Sequence, residues 1–123
     1  MTIMDAITRI DSLKPNRYDQ SEKIRWLNTL DEHVMNDIIA THEGSEGIAH
    51  NSYTEDTVLT TELLIPAPYD EVYLYWLESQ IDYWNGEMGK YNNSIAMYNT
   101  AYTAFANHYN RTHMPKGKKF KFF

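Results

Sequence analysis

Apolar side chains recur along the first third of this chain at steps of three and four, as Ile3, Ile7 and Ile10, and then as Ile24, Leu27, Leu30 or Asp31, Val34 and Ile38. Such spacing lines up one side of an α-helix, which turns once every 3.6 residues. Thr2 followed by Asp5 supplies a start signal, because the hydroxyl and the carboxylate each accept a first-turn amide that has no partner in the helix. Pro15 after Lys14 ends that first helix at about Leu13. Asp19 with Glu22 repeats the start signal, and the second stripe predicts a helix of about 20 residues ending near Thr41.

Residues 43–57 are mostly polar and include Gly44 and Gly47, which predicts a long loop of the kind that is functional or ordered on assembly. Residues 58–65 (VLTTELLI) read as a short extended segment before Pro66 and Pro68. From Leu77 the apolar positions run on through Ile81, Trp84, Met88, Tyr91, Ile95, Tyr98, Tyr102, Phe105 and Tyr109 in alternating steps of four and three. Gly86 and Gly89 fall inside this run, each costing about 1 kcal/mol in a helix relative to Ala, so a hairpin at Gly86 is the competing reading. The unbroken phase favours one helix over residues 69–110, kinked at the glycines and about 60 Å long. The expected fold is therefore all-α: two N-terminal helices, a polar loop with a short extended segment, and one long C-terminal helix. Residues 1–115 form a single domain and residues 116–123 a basic, aromatic tail.

At 123 residues the chain fits one domain with a modest core, and nine Gly plus Pro positions and 42% apolar residues place it among globular proteins. It has no Cys, hence no disulfide framework, thiolate nucleophile or thiolate-bound zinc, and oligomerisation is the natural supplement to a small core. No apolar run reaches the length of a membrane span and no secretion signal opens the chain, so a soluble protein without a membrane partner is expected.

The net charge of −6 is unevenly laid out. Residues 26–89 hold thirteen acidic side chains and no Lys or Arg, whereas residues 90–123 hold six basic and no acidic ones. Opposite blocks attract, either within one subunit or head to tail between copies, and the second arrangement builds rings and filaments. Residues 91–110 carry no formal charge at all. A helix flanked by Asn, Ala, Thr and Ser in place of Glu and Lys suggests burial against other copies, the alternative being that these small polar residues face water unaided. The candidate contacts are Tyr91, Tyr98, Ala101, Tyr102, Ala104 and Phe105 on the helix, together with Lys118, Lys119, Phe120, Phe122 and Phe123 in the tail.

Catalytic patterns are missing. His42 and His50 do not form a two-histidine metal motif, and His108 and His113 stand five apart. Glu78 and Asp82 share a helix face but read as a solvated surface, and there is neither a phosphate loop nor a serine elbow. A non-enzyme without metal or cofactor is expected. Alternating Lys and Phe in the tail suits docking on a partner better than stacking on nucleic acid.

Ile10, Asp11, Leu13, Lys14, Pro15 and Asn16, then Trp26, Leu27 and Asp31, resemble the small head-tail connector proteins of long-tailed phages and prophages of Gram-positive bacteria. The likeness continues through Glu62, Leu63 and Leu64, Pro68 to Asp70, Gln80 to Asp82, Tyr91 to Asn93, and Asn110 with Arg111. It implies a helical virion protein that forms a homo-oligomeric ring under the portal and follows the portal's symmetry. Such a ring extends the DNA channel, lets DNA pass without reading its sequence, and joins the next neck protein. It implies assembly in the host cytoplasm, a final place in the neck, and no active-site residues to carry over. The rival is a small terminase-like, DNA-binding packaging subunit with a helix-turn-helix over residues 6–30, poorly served by a second helix that offers Lys23 and Arg25 and then turns acidic.

Overall fold

Thr2 caps the first helix from both sides: the Asp5 amide donates to Thr2 Oγ1 at 3.1 Å and the Thr2 amide donates to Asp5 Oδ2 at 3.0 Å. This cap opens α1 (Ile3–Leu13) in a computed structural model that describes residues 1–48 and 50–116. The expected stripe of Ile3, Ile7 and Ile10 is its buried face. The second helix, α2 (Gln20–Asp37), buries Ile24, Leu27, Leu30 and Val34, and the chain then tightens into 3-10 turns at Ile39–Thr41 and Ser45–Gly47. Two more helices follow, α3 (Val72–Trp84) and α4 (Met88–Thr112). The all-α class and a long C-terminal helix stand as the periodicity predicts.

One continuous helix over residues 69–110 does not form. Asn85 and Gly86 end α3 in a Schellman turn, with the Gly86 amide donating to Tyr83 O at 3.0 Å and the Glu87 amide to Asp82 O at 3.0 Å. Gly86 takes a φ of +75°, a backbone region that a side chain disfavours. The chain reverses, and α4 runs back along α3. Tyr83 then meets Tyr91, Asp82 meets Ser94, Trp76 meets Tyr98 and Tyr69 meets Phe105, the register of an antiparallel pair. Continuity of phase across the turn rested on Trp84 and Met88. Both are surface residues, 59% and 50% exposed.

The core lies where α1, α2 and α3 meet. Tyr73, Leu77 and Ile81 of α3 are fully enclosed with Ile3, Ile10, Leu27 and Leu30, and α4 contributes Phe105 and Tyr109. Residues 58–65 lie beside the start of α1: the Ile3 and Met4 amides donate to Thr61 O and Leu59 O, and the Leu63 amide donates to Met1 O. Of the expected extended segment, only an isolated bridge between Thr2 and Glu62 has β character. Residues 43–57 are polar yet anchored, because Tyr53 is buried and its amide donates to Asn28 Oδ1 of α2 at 2.8 Å.

Beyond α4 the chain is clamped to the end of α2. The Glu43 amide donates to Met114 O at 2.7 Å, and the Lys116 amide to Thr41 O at 2.8 Å. Buried His42 donates from Nδ1 to Ile38 O at 2.5 Å, while its Nε2 stands 2.7 Å from the Asn110 carboxamide.

Candidate assembly surface

Among the described helices, α4 packs on α3 alone; its C-terminal end also meets Tyr69 and His42, and much of the rest of its surface is exposed. The inner side carries most of the aromatic residues that the sequence marks as contacts. The Tyr98 ring lies 5.0 Å from Trp76, the Tyr91 ring 5.4 Å from Tyr83, and Phe105 is 1% exposed against Tyr69 and Tyr109. Phe105 is therefore core, not boundary. Ala101, Tyr98 and Tyr102 are half-buried against that core, and burial pushes both tyrosine hydroxyls above their ordinary titration range. Ala104 is exposed. Lys118, Lys119, Phe120, Phe122 and Phe123 lie outside the described residues.

The outward side of α4 presents Asn92, Asn93, Ala96, Met97, Asn99, Thr100, Thr103, Ala104 and Asn107, all exposed. No side chain here carries a formal charge, and Met97 is 50% exposed. Small residues cost little side-chain entropy on burial and let a neighbouring backbone approach closely, while Asn and Thr supply hydrogen bonds. The surface suits packing better than steering. Periodicity alone misses Trp84 and Met88 as outward residues; the signal was Gly86, two positions beyond Trp84.

The acidic middle block is partly answered within the subunit. Arg9 meets Glu71 at 3.0 Å, Lys14 meets Asp82, Lys90 meets Glu87 at 2.8 Å and Lys116 meets Glu46 at 3.7 Å. Asp82 is wholly buried between Lys14 and the Ser94 hydroxyl, which donates to it at 3.0 Å, so one carboxylate joins α1, α3 and α4. Glu43, Glu55 and Asp56 are exposed and have no cation partner among the described residues.

A second buried carboxylate, Asp31, accepts the Tyr53 hydroxyl at 2.6 Å, the Tyr73 hydroxyl at 2.5 Å and the Leu64 amide at 3.1 Å. Burial raises its pKa above the ordinary carboxylate value, opposed by those three donors. The same burial, with the Asp31 charge beside it, pushes the Tyr53 and Tyr73 hydroxyls upward. This cluster is closed to solvent and holds α2, the loop and α3 together. Among the described residues no three His, Asp or Glu side chains converge as a metal site would require.

The chain matches no family model, no curated protein and no solved structure.

Lys23 bears on the helix-turn-helix rival. It is 3% exposed and its ammonium lies 2.6 Å from Asp11, so at the start of α2 only Arg25 of the two basic residues is exposed. Among the described residues no helix is long and apolar enough to cross a membrane.

Proposed function

We propose that this protein is a non-enzymatic, ring-forming connector of a long-tailed phage, seated between the portal and the next neck protein. The observation that carries this reading is the outer surface of α4: twenty consecutive residues, 91–110, carry no formal charge, and nine of them form an exposed face. A surface meant for water usually carries Lys and Glu, whereas one meant for a neighbouring copy avoids unpaired charge, which is costly to bury. Copies packed side by side through α4 make a ring, and the exposed Glu43, Glu55 and Asp56, without cation partners among the described residues, remain for its bore, where like charge keeps DNA moving. A DNA-reading packaging subunit is less well served, since Lys23 is bonded to Asp11.

Ala104→Glu tests the reading. Ala104 is exposed, so the variant folds with stability within about 0.5 kcal/mol of the parent. Light scattering, alone and with the portal, is expected to show the parent as a ring and the variant as smaller species that do not join the portal. A variant that assembles as the parent does overturns the α4 interface, and a salt-sensitive shift of linear DNA by the parent favours the packaging subunit.

A further inference from the structure

A cleft of about 330 Å³ opens where the start of α2 faces the end of α3, lined by Arg17, Tyr18, Asp19, Glu22, Trp26 and Trp84. Trp26 forms its floor, with Tyr18 edge-on at a ring distance of 5.4 Å, and the Tyr18 hydroxyl donates to Asn85 Oδ1 at 2.7 Å, tying the two walls together. Trp84 lines it with 59% of its surface exposed. Neither Asp19 nor Glu22 has a cation partner among the described residues, so an aromatic cleft with an acidic rim is left open. Arg17, likewise without an ion pair there, offers its guanidinium to an aromatic face.

The complementary chemistry is in this same chain. Phe120 and Phe122 alternate with Lys119 and Lys121. In an extended segment, alternate residues share a side, so the two rings enter an aromatic cleft together while the interleaved lysines meet its acidic rim. We infer that the cleft at Trp84 is the seat of Phe120 and Phe122 from a neighbouring copy. This docking rests on the connector reading for its ring, and it gives that ring a second, head-to-tail contact.

The seat is in trans because of reach. Lys116 is clamped beside Thr41 at the C-terminal end of α2, and the cleft lies at the other end. At about 1.5 Å per residue α2 spans about 27 Å and α4 about 37 Å. Phe120 is four residues beyond Lys116 and Phe122 six, which allows at most about 14 and 22 Å of chain. The pair cannot enter its own cleft together. Joining one end of a subunit to the opposite end of the next is a heterologous contact, the kind that closes into rings when the rotation permits.

Two full-length variants test this, each altered away from the core: Phe120→Ser with Phe122→Ser, which spoils the tail, and Trp84→Ala, which spoils the cleft. Each alone is expected to weaken self-association by about 30-fold or more, as truncating a buried aromatic anchor does, with an unchanged melting temperature at low concentration. Mixed in an Ala104→Glu background, which removes the α4 contact, they are expected to give a one-to-one dimer and nothing larger, because one sound tail meets one sound cleft. Variants that assemble as the parent does, or a mixture that stays monomeric, overturn the docking and leave the α4 ring standing. Variants that self-associate normally but lose the portal also overturn it, since the tail then belongs to the portal. A mixture that pairs as expected while the parent never joins a portal upholds the docking and sinks the connector reading.

Discussion

Tyr73 and Asp31, 42 positions apart, meet at 2.5 Å inside the core, and the same tyrosine oxygen receives the Ile65 amide at 2.7 Å. One phenol thus serves a buried carboxylate and a buried backbone N–H. Tyr73→Phe strips a donor from the first and orphans the second, so a loss of about 2–4 kcal/mol is expected. Tyr53→Phe, which removes a donor from Asp31 alone, should cost less. Urea unfolding of both variants checks the order; equal costs would mean that Ile65 finds another acceptor.

The same carboxylate sets a pH dependence. Its pKa is raised in the folded protein, so between the unfolded value of about 3.9 and that raised value the native state holds the extra proton. Stability from Asp31 therefore falls as pH climbs through this window. Exposed Asp5, Glu32 and Glu46 are lowered by local hydrogen bonds and act in the opposite sense, losing their contribution as pH falls. Subtraction isolates Asp31: the stability of the parent minus that of Asp31→Asn should decline with rising pH from about 4 upward. Parallel curves would contradict the assignment.

The two glycines of the hairpin should respond in opposite directions. Gly86 has a φ of +75°, so Gly86→Ala is expected to destabilise by about 1 kcal/mol. Gly89 sits in the first turn of α4 with negative φ and open space around an added Cβ, so Gly89→Ala should stabilise by about 0.5–1 kcal/mol. A continuous helix would be stabilised by both changes, which makes this pair of melting curves a direct test of the turn.

Phe105→Ala should cost about 3–5 kcal/mol, by lost transfer energy plus the cavity left behind. The ring is 1% exposed, so this cost falls on the subunit itself and is seen at dilutions where no oligomer exists. A defect confined to assembly would place Phe105 at a boundary after all.

Much of the fold was legible because local signals agreed. The Thr2 and Asp5 cap, the Ile3, Ile7 and Ile10 stripe, and the stop at Pro15 all act within a few residues, and all are found. The hairpin was illegible from spacing because Trp84 and Met88 happen to continue the phase from outside the packed seam. Asp31 sat in an apolar stripe, an ambiguity that its partners resolve: Tyr53 comes from a loop that composition marks as polar and Tyr73 from a helix 42 positions on. Neither proximity is encoded nearby. The outer face of α4 was visible as missing charge, but which aromatic residues turn inward depends on the reversal at Gly86.

The knot around His42 also fixes geometry for whatever lies downstream. With Met114 and Lys116 bonded to Glu43 and Thr41, the last described residues share the frame of α2 and do not swing on the end of α4. In the docking proposed above, three residues separate Phe120 from Lys116, so the angle between two joined copies is limited by their rigid bodies. Subunit number in such an assembly is then a property of shape, and loosening the mooring, as in His42→Ala, would blur the count before it weakened the bond.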